Sequence, residues 1–270
     1  MLSENQFEFT KENIDFYLKE VAKEYRKQVG KNMPAELILI GGASVLINYG
    51  FRNMTTDIDA QIEAASAMQD AINRVGDRYE LPNGWLNADF KNTDSYSTKL
   101  SQFSVYYKTY SNVMTIRTVA AEYLVAMKLR SGRQYKSDLS DVLGVLTEHE
   151  KRGDQITMDQ IHRAVIELYG AWEMLPESSR AFIENVMEDG RFVELYEQTA
   201  IGERETMELL IQFEKDYSGV MRESNVNEIA GNLQKKTDRA SILARLQEKK
   251  AQTEQIEATK CTEKRDDCER

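Results

Sequence analysis

The stretch Leu37–Ala64, LILIGGASVLINYGFRNMTTDIDAQIEA, decides how this chain is read. Its first part, Glu36 to Ile40, is a short run of apolar and β-branched residues, as a buried strand requires. The run ends at Gly41-Gly42, and residues 43–50 read as a short helix closed by Gly50. Asp57 to Ile62 then alternates polar and apolar residues, the pattern of a half-buried strand. Strand, glycine corner, helix and second strand thus follow one another within a single span.

Each half of this span carries a chemistry. Two glycines between a strand and a helix let a ligand approach the backbone without meeting a Cβ. The helix start offers unpaired N–H groups and a positive dipole end, which together favour an anion such as a phosphate. Ser44 adds a hydroxyl donor in the first turn. Asp57 and Asp59 are spaced i, i+2, so on a strand both carboxylates face one side, about 6.5–7 Å apart. Ile58 between them points to the core. No basic residue intervenes to relieve the repulsion. A divalent cation does so, and Mg²⁺ takes carboxylate and phosphate oxygens together. Arg52, Thr55 and Thr56 stand just before the acids, where they can orient them or a phosphate.

Outside this span, Thr10 followed by Glu12 and Asn13 reads as an N-cap with an acidic first turn. Apolar residues at helical spacing then run to about Val29. A helix is expected from about Ala65 to Val75, and residues 77–99 read as irregular loop. Phe103 to Tyr110 and Val113 to Thr118 are β-type runs joined at Ser111-Asn112, a hairpin signal. From Ala120 onward the pattern is helical, over roughly 120–131, 137–151, 157–172, 178–188, 191–217 and 225–257. The expected fold class is α+β, a small mixed-sheet core followed by an all-helical C-terminal region. The expected domains are 1–118 as the α/β core with its N-terminal helix, 119–257 as a helical region whose 119–150 part packs on the core, and 258–270 as a disordered tail.

The 270 residues are 41% hydrophobic and 30% charged, enough for a sizeable core under a solvated surface. No run is apolar and long enough for a membrane span, and the acidic N-terminus has no apolar signal core. Cys261 and Cys268 both fall in the charged tail, so no disulfide framework is expected and a reduced cytoplasmic compartment is. The net charge is −10, with 17 basic and 20 acidic residues in 1–150 and 18 and 25 in 151–270. That balance excludes a non-specific nucleic-acid binder. One local exception runs from Arg117 to Lys136, where Arg117, Lys128, Arg130, Arg133 and Lys136 meet few acids, a patch able to guide a tRNA end. His149 and His162 lack partners at metal-ligand spacing.

The conjunction Gly41-Gly42-Ala43-Ser44, Arg52, Thr55 and Asp57-Ile58-Asp59 resembles the nucleotidyltransferase superfamily related to DNA polymerase β. Within it, the stretch looks most like the bacterial abortive-infection, type IV toxin–antitoxin branch. AAEYLVAMKLRSGRQYKSDLSDVLGVL resembles that branch's helix-loop-helix, with Lys128, Arg133, Lys136, Asp138 and Asp141 at its marked places, and GWLNADF, Gly84 to Phe90, is also similar. The resemblance covers roughly residues 35–150.

It implies a Mg²⁺-dependent transfer of a nucleoside monophosphate from a nucleoside triphosphate to a hydroxyl of RNA, protein or a small molecule, in a toxin–antitoxin or phage-defence setting. Asp57 and Asp59 would be the metal ligands and catalytic acids. Gly41, Gly42, Ser44 and Arg52 would hold the phosphates, and Lys128 would contact phosphate or base. Active members carry a third acid on an adjacent strand. The hairpin strands offer none; Asp89, Asp94 and Glu63 are the substitutes, of which Glu63 lies about 13 Å along the same strand and Asp89 is preferred. Asp138 and Asp141 read instead as ion-pair partners of Arg133 or Lys136. The alternative is a degenerate member of the fold that acts as a partner-binding or neutralising module. A protein partner, and homo-oligomerisation through the C-terminal helices, are further expectations.

Overall fold

The computed structural model describes residues 7–222 and 225–235. Residues 236–270, which hold the end of the last expected helix, both cysteines and the expected disordered tail, lie outside the described residues. The chain divides into two compact units, Met1–Glu203 and Arg204–Arg270.

The first unit opens with α1, Lys11–Val29. Thr10 caps it in a reciprocal capping box with Asn13, which satisfies two otherwise orphaned donors. β1, Ala35–Leu39, leads through the glycine corner into α2, Gly41–Asn48. β2, Ile58–Glu63, is followed by α3, Ala67–Tyr79. A short β3, Leu86–Asn87, precedes a 3-10 turn at Asp89–Asn92. β4, Ser104–Tyr110, and β5, Met114–Val119, form the expected hairpin. Ser111 and Asn112 both take positive φ, 52° and 51°, as the tight hairpin turn demands. Then come α4, Ala121–Ser131, α5, Asp138–Arg152, α6, Met158–Tyr169, α7, Glu177–Asp189, and α8, Phe192–Asp216.

The strands form one mixed sheet in the order β3-β2-β1-β5-β4. β1 runs antiparallel to β2 and parallel to β5, and β2 runs parallel to β3. Alternation along β1 sends Leu37 and Leu39 into one core with α1 and α3. Ile38 goes into a second core, built with α4 to α7. The architecture is α+β, with a sheet core first and helices after it.

Two local readings change. Residues 77–99 are not all loop. α3 continues to Tyr79, ended by Glu80 in the left-handed region, and Leu86–Asn87 joins the sheet edge beside β2. Gly50 does not close α2. That helix stops at Asn48, with Tyr49 already extended, so no left-handed glycine is needed there.

In the second unit, the end of α8 is followed by a helical stretch over 226–235, in which Val226 and Ala230 are buried.

Candidate active site

The antiparallel pairing of β1 and β2 brings the end of one strand beside the start of the other. Leu39 pairs with Ala60, and the Ile40 N–H donates to the Asp59 carbonyl at 2.9 Å. The glycine corner and the aspartates are therefore neighbours by sheet register. Gly41 has φ +56°, and a Cβ built on it would lie 3.7 Å from Asp59 Oδ2. α2 begins here without a side-chain cap and without an acid in its first turn. Its leading N–H groups have no intrahelical partner and are suited to an anion. Ser44 is fully buried, and its Oγ has no hydrogen-bond partner among the described residues.

Asp57 is exposed, one residue before β2, and Asp59 is half-buried on the strand. Ile58 between them is fully buried, as the alternation requires. Among the described residues neither carboxylate is in an ion pair. Burial pushes the Asp59 carboxyl up to about 6, and the charge of Asp57 adds to the rise. Lys136, the Asn87 side chain and Arg133 pull it back. Two carboxylates side by side with no ion-pair partner among the described residues fit a divalent cation. Among the described residues they are not joined by a third His, Cys, Asp or Glu in a metal-holding group.

β3 lies beside the aspartate strand. Its register sets Asn87 directly opposite Asp59, so an amide stands on the neighbouring strand. Asp89 comes two residues later, exposed at the head of the 3-10 turn, its N–H donating to Asn87 Oδ1 at 2.8 Å. That turn packs on β2. Asn87 escaped the sequence reading because a two-residue strand leaves no periodicity.

Arg52 joins the corner to the helices. A Cβ on Gly42 would lie 3.1 Å from Arg52 Nη2 and 2.6 Å from Thr55 Oγ1. The guanidinium therefore crowds a position that a side chain could not enter without displacing its neighbours. Its Nε donates to the Met54 carbonyl at 3.0 Å, and its Nη1 meets Asp141 Oδ2 at 2.5 Å. Thr55 is held from behind by Phe9, through paired backbone hydrogen bonds of 2.8 and 2.9 Å.

Lys128 is buried in the middle of this network. Its Nζ meets Asp138 Oδ1 at 2.9 Å and Asp141 Oδ2 at 2.8 Å. Burial opposes its charge, but the two carboxylates outweigh burial and hold the ammonium above the usual lysine range. Asp138 is fully buried too, yet Lys128 and Arg133 hold its carboxyl well below the carboxylate range. Arg133 Nε reaches Asp138 Oδ2 at 2.8 Å. Asp138 thus takes Arg133, as the sequence suggests, and both acids also take Lys128.

The basic residues of 117–136 do not form one face. Arg117 bonds Ser104, Lys128 is enclosed, and Arg130 reaches the carbonyls of Asp94 and Met174. Arg133 and Lys136 are the two whose charge is felt at Asp59. Partial desolvation, with Arg133 beside it, holds the Lys136 ammonium below the usual lysine range, although the residue reaches the surface.

No helix among the described residues is long and apolar enough to cross a membrane. No curated protein and no solved structure matches the chain. A family model does match, over residues 17–172, which include the glycine corner, both aspartates, Asn87 and the Lys128 network. The chain belongs to that family, described as a nucleotidyltransferase of unknown function (DUF6036).

Proposed function

We propose that the chain transfers a nucleoside monophosphate from a nucleoside triphosphate to a hydroxyl group on RNA, protein or a small molecule. The observation that carries this reading is the meeting of an uncapped, glycine-cornered helix start with two unpaired aspartates, 3.7 Å from a Gly41 Cβ to Asp59 Oδ2. Asp57 and Asp59 are the residues that would hold Mg²⁺. When bound, the ion supplies positive charge against the polyphosphate and orients it. The first N–H groups of α2, at Gly41 and Gly42, bind phosphate oxygens, and Ser44 brings a hydroxyl with no partner among the described residues. Arg52, lying on Gly42, adds a guanidinium suited to phosphate.

In the transfer, the acceptor oxygen bonds to the α-phosphorus on the side opposite the leaving group. The bond to the β-phosphate oxygen breaks and pyrophosphate departs. The acceptor's proton passes to the exposed Asp89 carboxylate. Lys128, whose ammonium is occupied by Asp138 and Asp141, acts by fixing Arg52 and Arg133 rather than by touching nucleotide.

A second reading is favoured by Asn87. With an amide opposite Asp59, the chain would bind nucleotide without turning it over and act on a partner protein. One experiment separates the two. Melting with Mg²⁺ and each of ATP, GTP, CTP and UTP is expected to show stabilisation, lost in Asp57→Ala. Label transfer from the α-labelled triphosphate then shows turnover, and its absence beside intact binding selects the second reading. If no triphosphate raises the melting temperature, both readings fail.

A further inference from the structure

Glu203 stands on α8, outside the residues that the family covers. It is buried, yet one of its oxygens is fully occupied. Oε1 accepts from the Leu139 N–H at 2.9 Å and the Ser140 N–H at 3.4 Å. These are leading donors of α5, whose own N-cap residue, Ser137, makes no side-chain cap. Oε2 has no hydrogen-bond partner among the described residues. Burial pushes the Glu203 carboxyl up to about 7, and the nearby charge of Asp141 adds to the rise. An acidic side chain is buried here with one oxygen on the start of a helix and the other without a partner among the described residues, an arrangement that bulk alone does not require.

The turn it caps is the one that carries Asp138 and Asp141. Asp141 in turn holds Arg52 at 2.5 Å, and Arg52 lies on Gly42 at the glycine corner. We propose that Glu203 is a positioning residue for the phosphate site: by capping α5 in place of Ser137, it fixes the turn from which Asp141 aims Arg52. The proposal rests on the nucleotidyl-transfer reading for its consequence, and its structural half stands without it. It gives the helical region after the family span a part in the site.

The test uses the full chain and two variants. Glu203→Met fills the same space without an acceptor oxygen, and Glu203→Gln keeps one. The readout is the Arg52 Nε–H signal in nitrogen-15 spectra, slowed in exchange by its hydrogen bond to the Met54 carbonyl and identified by its loss in Arg52→Lys. Glu203→Met is expected to move this signal toward its place in Asp141→Asn. It should also weaken Mg²⁺-triphosphate binding by about tenfold, the scale of a misplaced charge-assisted contact. Glu203→Gln restores both. An Arg52 signal unmoved in Glu203→Met overturns the proposal whatever the nucleotide does. A moved signal with unchanged triphosphate affinity overturns it as well. If the unaltered protein binds no triphosphate, the nucleotidyl-transfer reading fails, and the Arg52 signal alone decides the link from Glu203.

Discussion

Gly41 and Asp59 face each other across the strand ends, with 3.7 Å between a Cβ built on the first and Oδ2 of the second. Gly42, one residue on, has no such room, since its Cβ would fall 2.6 Å from Thr55 Oγ1. Thr55 cannot yield easily, because Phe9 pins its backbone in both directions. Gly42→Ala is therefore expected to destabilise by about 1–3 kcal/mol through overpacking. Gly41→Ala is expected to cost about 1 kcal/mol, from its positive φ alone. Urea unfolding of the two variants checks the order, and equal tolerance would contradict the crowding at Gly42.

The raised Asp59 carboxyl gives a pH signature in metal-free buffer. Its folded value, about 6, lies above the unfolded one. Its contribution to stability is thus full at low pH and is lost as pH rises through about 6. Asp59→Asn removes that loss. The variant is expected to melt above the unaltered protein at pH 7.5 in EDTA, with the gap closing toward pH 4. Adding Mg²⁺ and triphosphate reverses the order. A variant less stable than the parent at pH 7.5 in EDTA would show that Asp59 is not under charge strain.

Lys128 is the shared counter-charge of two buried acids. Lys128→Met leaves Asp138 to Arg133 and Asp141 to Arg52, each acid with one counter-charge in place of two. A loss of about 1–3 kcal/mol is expected, because each acid loses a buried charge-assisted hydrogen bond while keeping one counter-charge. Adding Asp141→Asn to that variant is expected to recover part of it, and a double-mutant cycle measures the coupling. Strict additivity would mean that the contact carries no interaction energy.

Asn87→Asp sets a third carboxylate opposite Asp59. Without metal the added charge is expected to lower the melting temperature. With Mg²⁺ the variant should gain more stability than the unaltered protein. Calorimetry with and without Mg²⁺ compares the two gains, and equal gains would place residue 87 away from the cation.

Gly144 lets α5 lie against Phe51, whose ring atoms would sit 2.4 Å from an added Cβ. Gly144→Ala is expected to push the 51–57 segment outward and destabilise by about 1–3 kcal/mol. Triphosphate affinity should fall with it, because Arg52 is the next residue. Thermal melting and titration check the two effects together.

The glycine corner, the aspartate strand and the 111–112 turn are legible in the sequence because each is a local pattern. Gly41-Gly42 sits between apolar runs, Asp-Ile-Asp alternates, and Ser111-Asn112 tolerates positive φ. Lys128 is legible as a marked residue but not as a buried one, since its surroundings come from residues 52, 138 and 141. Asn87 needs the sheet register, and Glu203 needs a contact across more than sixty positions of chain. No periodicity encodes either.

The bond between Phe9 and Thr55 has a practical side. Phe9 precedes the family span of 17–172, and Glu203 follows it. A fragment trimmed to those limits would keep every proposed ligand-binding residue. It would lose the strap behind Thr55 and the carboxylate under α5, so inactivity of such a fragment would report on faulty trimming rather than on the chemistry of the protein.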